Sequence, residues 1–64
     1  MHERLQLRDR FLDLRRAALE AARHYDSLAQ TAPPSEVRQC LEKLARDQYR
    51  HVEMSERLLE IIGE

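Results

Sequence analysis

The stretch Thr31-Ala32-Pro33-Pro34-Ser35 is the only part of the chain whose composition breaks regular structure. It holds both prolines of the 64-residue sequence, and the only glycine is Gly63, near the end. Proline disfavours helical geometry in the residue before it but is tolerated in a helix's first turn. The segments on either side therefore predict two uninterrupted helices, at about 2–31 and 35–62, joined by a turn at 32–34.

Apolar residues recur along both segments at alternating steps of three and four, the pattern of a helix with one buried face. The first stripe comprises Leu7, Phe11, Leu14, Ala18, Ala21, Tyr25 and Leu28. The second comprises Val37, Leu41, Leu44, Gln48, His51, Ser55, Leu58 and Ile62. A short connection makes the helices antiparallel neighbours, so we expect one all-α domain over 1–64, a hairpin whose stripes face each other.

A two-helix hairpin is too thin to bury the apolar surface that folding requires. With about 1.5 kcal/mol of entropy lost per residue and about 25 cal/mol gained per Å², folding needs burial on the order of 4,000 Å². Two helices in contact along one line bury far less apolar surface and leave broad apolar faces exposed to water. We therefore expect two hairpins to form a four-helix bundle, as a homodimer or a larger even oligomer. A shell protein or another partner protein is the alternative.

Charge and composition exclude several other partners. Lys and Arg number 11 and Asp and Glu 12, interspersed along the chain, which provides no basic face for nucleic acid. No apolar run approaches the roughly 20 residues that span a bilayer, and no signal peptide opens the chain, so no membrane association is expected. Cys40 is the only cysteine, so the chain cannot form an internal disulfide. This favours a location in the cytoplasm, or alternatively inside a protein compartment. Cys40 itself is expected to be a small core residue.

Three polar residues, Gln48, His51 and Ser55, interrupt the second stripe. Folding the hairpin about Ala32-Pro33 places Ala18 opposite about Gln48, Leu14 opposite His51 or Val52, and Phe11 opposite Ser55. Because a buried polar group without a partner costs roughly 1–3 kcal/mol, three in succession need an explanation. They indicate a hydrogen-bonded layer that fixes register, a water-filled pocket, or a ligand or metal site.

The chain from about residue 17 to 60 resembles the helical hairpin of ferritin-like proteins, especially rubrerythrin-like and encapsulated-ferritin-like chains. Those families have a glutamate, an aromatic residue seven positions later, a short turn, and then LA-x-[DE]-E-x-x-H on the second helix. Here Tyr25 matches the aromatic residue, and "LARDQYRH" at 44–51 matches the second-helix block. The resemblance implies a ferritin-like four-helix bundle that binds two metal ions, usually iron, through carboxylates and the histidine.

The metal ligands that the resemblance implies are only partly present. The first-helix glutamate position holds Ala18 and the second-helix position holds Gln48, so that only His51 matches. An amide binds a hard cation more weakly than a carboxylate does, and alanine has no donor, so we expect the dinuclear centre to be absent. Two copies of His51 and Gln48 would instead suit a single Zn, Cu or Ni ion. Glu20 is a candidate additional ligand, or else a surface partner of neighbouring arginines.

Two functional hypotheses follow. In the first, the chain is a ferritin-like structural or interaction module with a degenerate metal site, no cofactor and no enzymatic activity. In the second, it is a metal-handling protein that binds iron or another transition metal around His51 at the dimer interface, with ferrous oxidation or metal storage as its activity. A truncated or engineered version of a longer protein is a third interpretation.

Overall fold

The protein is an all-α hairpin of two long helices, as the sequence predicts. A computed structural model describes residues 2–63, so Met1 and Glu64, the ends of the predicted domain, lie outside the described residues. Helix α1 runs over His2–Thr31 and helix α2 over Glu36–Gly63. The hairpin is a rod with extents of 50 × 14 × 11 Å. Neither helix, over the part of the chain described, is apolar for long enough to cross a bilayer.

The turn is held by polar contacts to backbone carbonyls at the end of α1. The backbone of α1 closes with a hydrogen bond from the Ala32 amide to the Leu28 carbonyl, 3.0 Å long. Arg38, from the first turns of α2, donates from Nε to the Ala29 carbonyl at 3.0 Å and from its guanidinium to the Ala32 carbonyl. The last turn of α1 has no basic residue of its own. Arg38 thus supplies from α2 the cation that the carbonyl end of a helix favours.

The helices meet along a seam of small residues. Ala22 is fully buried and Ala45 is 2% exposed, and the other buried residues are Ala18, Ala29, Val52 and Ser55. No large side chain among the described residues is fully buried. Alanine lets two helix backbones approach closely, but each buried methyl group contributes little hydrophobic free energy. The seam therefore fixes the geometry of the hairpin more than it stabilises it.

The seam corrects the predicted stripes in one respect. Seven residues of the predicted stripes were expected to face the other helix but are exposed: Leu7, Leu14, Leu28, Val37, Leu44, His51 and Leu58. Their neighbours on the alanine side of each helix form the contact instead. The apolar face of each helix is wider than one contact can cover, and small side chains allow the closest approach, so the alanine edge is buried and the leucine edge is not. Cys40, expected in the core, is also exposed.

Candidate functional site

The two broad faces of the hairpin differ in character. One face, here called the polar face, carries two side-chain contacts between the helices. Arg15 forms an ion pair with Glu56 at 3.4 Å, and the Tyr49 hydroxyl donates a hydrogen bond of 2.8 Å to Asp26 Oδ2. The carboxylate that accepts this hydrogen bond raises the pKa of Tyr49 above its ordinary value, because it stabilises the protonated phenol. The polar side-chain contacts between the middle parts of the two helices thus lie on this face, beside an open groove of about 530 Å³ around Arg15 and Glu56.

The opposite face is apolar and uncovered. It is here called the apolar face, and it comprises Leu7, Leu14, Ala21 and Leu28 of α1 with Val37, Leu44, His51 and Leu58 of α2. Members on each helix are seven residues apart, or nearly two full turns, so each set lies along one side of its helix. Exposure reaches 59% for Leu14 and 63% for Val37, and no hydrogen bond or ion pair of residues 2–63 crosses this face.

A groove of about 410 Å³ lies in the middle of the apolar face, between the two helices. Its lining residues are Leu14, Ala17, Ala18, Gln48, His51 and Ser55. Ala18 and Ser55 are buried and Gln48 is half-buried, whereas His51 is exposed. The groove lies where the small side chains of Ala17 and Ala18 leave space beside Leu14. Ala17 was not predicted here, although its spacing of three from Leu14 and four from Ala21 places it beside both.

The hairpin brings together two of the three predicted metal ligands. His51 and Gln48 line the same groove, as their spacing of three residues on one helix implies. Glu20 is exposed and is not among the residues that line it. Glu20 follows the buried Ala18 by two positions, which is about 200° around the helix, so its side chain leaves α1 on the far side. Within one hairpin, Glu20 therefore lies away from the other two residues.

The groove does not fit a dinuclear iron centre. Its polar side chains are one imidazole, one amide and one hydroxyl, and none of them is a carboxylate. Iron in such centres needs several carboxylate oxygens around each pair of ions. Across residues 2–63, no three His, Cys, Asp or Glu side chains lie close enough together to hold a metal ion. The donor set of a single chain is instead that of a weak nitrogen site or of a hydrogen-bonded polar layer.

Comparisons with protein-family models, with curated proteins and with solved structures gave no match. The fold and the groove therefore define the protein as a helical hairpin with one uncovered apolar face, and the function is inferred from that face.

Proposed function

We propose that the chain is a self-assembling structural module, in which two hairpins pair through their apolar faces into a four-helix bundle. The observation that carries this proposal is the apolar face itself, a row of exposed leucines on both helices around a groove of small residues. The ferritin-like resemblance of the sequence agrees with this assembly. In it, the polar residues of the groove serve to set the register between copies.

The surface area of the hairpin supports pairing. A compact folded protein of 7.6 kDa has an accessible surface of about 4,300 Å². The hairpin exposes 5353 Å², which is about 1,000 Å² more. A stable protein–protein interface buries about 800 Å² on each partner. The surplus surface of one hairpin is thus the amount that one partner of this size would cover.

The shape and the core of the hairpin agree with the same assembly. The radius of gyration is 14.8 Å, whereas about 11 Å is expected for a compact domain of this length. Among residues 2–63, the buried side chains are alanines, one valine and one serine. The leucines, whose burial would contribute most, remain partly exposed to water. A second copy is the partner that places these leucines in a core.

Sedimentation equilibrium tests the proposal directly. At micromolar concentration we expect the mass of a dimer, or of a larger even oligomer, together with a high helix content by circular dichroism. A helical species with the mass of one chain at that concentration would contradict the proposal. A disrupting variant is Val37→Glu, which replaces the most exposed apolar side chain of the face by a charge. It should shift the mass towards that of the monomer.

Metal binding is a second candidate function, favoured by the presence of His51 and Gln48 in one groove. In a pair of hairpins, two imidazoles become available to one ion, and Zn, Cu and Ni prefer nitrogen ligands. Titration calorimetry with Zn²⁺ and Ni²⁺ on the wild type and on His51→Ala tests this candidate. Saturation at one ion per dimer that His51→Ala abolishes would support it. Equal, weak heats for both proteins would rule it out, and stoichiometric iron with ferrous oxidation would overturn the purely structural role.

A further inference from the structure

The polar pair of the groove lies at the middle of the hairpin. Helix α2 spans Glu36–Gly63, so its midpoint falls between Tyr49 and Arg50, and Gln48 and His51 lie on either side of it at equal distance. Across residues 2–63, no hydrogen bond within the chain involves either side chain. A second copy that covers the apolar face must therefore supply their partners, or both groups lose water without replacement.

Two copies of α2 place complementary side chains opposite each other when they run antiparallel. When the two-fold axis passes between Tyr49 and Arg50, facing residues lie equally far from that point, so His51 faces the partner's Gln48, and Gln48 faces the partner's His51. The same arrangement places Leu58 opposite the partner's Leu41 and Leu44 opposite the partner's Ser55. Each layer joins a residue of the apolar face to one of the residues beside it, as in antiparallel helix pairs generally. The amide and the imidazole thus complement each other twice.

Two copies of α1 also place complementary side chains opposite each other, at about the same height along the hairpin as the two copies of α2. The midpoint of His2–Thr31 lies between Arg16 and Ala17, level with the midpoint of α2. Antiparallel pairing about Arg16, half a residue from that midpoint, places Leu14 opposite the partner's Ala18, and Ala21 opposite the partner's Phe11. A large side chain meets a small one in both layers, which fills space evenly. One two-fold axis, perpendicular to the helices, therefore serves both pairs to within half a residue, or about 0.8 Å along the helix.

The other two-fold arrangement leaves the polar groups unpaired. If the axis ran along the bundle, α2 would lie against the partner's α1 with both turns at the same end. His51 would then face the partner's Leu14 and Gln48 the partner's Ala18, and neither offers a side-chain donor or acceptor. Building on the proposed pairing, we infer that two copies associate with their turns at opposite ends, and that reciprocal hydrogen bonds between His51 and Gln48 lock this orientation.

Spin-label distances separate the two arrangements. Glu36→Cys and Arg50→Cys, each in a Cys40→Ser background, place labels fourteen residues apart on the same outward side of α2. With turns at opposite ends, the two Glu36 labels of a dimer are separated along the axis by about 40 Å, whereas the Arg50 labels are at nearly one height and within about 30 Å. Equal distances for both label sites would overturn the inference. A monomer without dipolar coupling would instead refute the proposed pairing itself.

A double-mutant cycle tests the polar lock. We expect His51→Leu and Gln48→Leu each to weaken the dimer about tenfold or more, because each leaves one polar group buried without a partner. The double variant removes both groups and should return to within a few-fold of the wild type. If His51→Leu alone tightens the dimer, the two side chains do not meet. The same follows if the double variant weakens the dimer by the sum of the two single effects.

Discussion

Replacement of Leu14 by alanine separates a paired hairpin from a solitary one. Leu14 is 59% exposed in the hairpin, so a single chain loses little when its side chain is shortened. In a pair, the partner covers that exposed part. Complete burial of a leucine contributes about 1.5–3 kcal/mol, which gives about 1–2 kcal/mol for this fraction in each copy and about 2–4 kcal/mol per dimer. The dissociation constant should therefore rise roughly 30-fold to several hundred-fold.

The assay is sedimentation equilibrium over a range of concentrations, with Leu5→Ala as the matched control. Leu5 is on the same helix and is 53% exposed, but it precedes Leu14 by nine residues and so lies on the opposite side of α1. Its replacement should change the dissociation constant by no more than about twofold, since no partner covers it. Equal weakening of the dimer by both variants, or an unchanged dissociation constant for Leu14→Ala, would show that no partner covers Leu14.

Three further predictions concern the turn, the polar face and the groove. Arg38→Leu removes the hydrogen bonds to the carbonyls at the end of α1 and should destabilise the fold by about 1–2 kcal/mol in urea unfolding; an unchanged midpoint would show that water replaces them. The folded-state pKa of Tyr49 is raised by its hydrogen bond to Asp26, so the contribution of this bond is present below the ordinary tyrosine pKa of about 10 and is lost as pH rises through the raised value. Thermal unfolding against pH should show this alkaline loss in the wild type but not in Tyr49→Phe, and phenolate absorbance should show a lower pKa for Tyr49 in Asp26→Asn. The double variant Ala18→Glu with Gln48→Glu should gain Fe²⁺ binding, measured by metal analysis; if it keeps the same oligomeric state yet binds no metal, the ferritin-like alignment of these positions is wrong.

The existence of two helices could be predicted from the sequence because the informative residues are unambiguous. Pro33 and Pro34 lie in the only segment that lacks helical periodicity. Neither helix contains a proline or an internal glycine. The polar interruption was equally visible. Gln48 and His51 are three residues apart, so a helix puts them on one side, and they line one groove. These features depend only on local spacing.

The choice of the contact edge could not be predicted in the same way. Ala21 and Ala22 both fit the periodic apolar pattern, and so do Leu44 and Ala45. Only the approach of the second helix decides which residue of each pair is buried. Ala22 and Ala45 are buried because their methyl groups permit that approach, and Leu44 is left exposed. Contacts such as Tyr49 to Asp26 depend on the register between the helices, which follows from the turn geometry and not from either helix alone.

The dependence of urea unfolding on protein concentration tests the central claim, that the hairpin is stable as a pair, most directly. For a folded dimer that dissociates on unfolding, each tenfold rise in concentration adds about 1.4 kcal/mol to the apparent stability, so the midpoint should rise steadily over a hundredfold range. A midpoint that stays constant over that range, with full helicity retained at the lowest concentration, would show that one hairpin is stable alone.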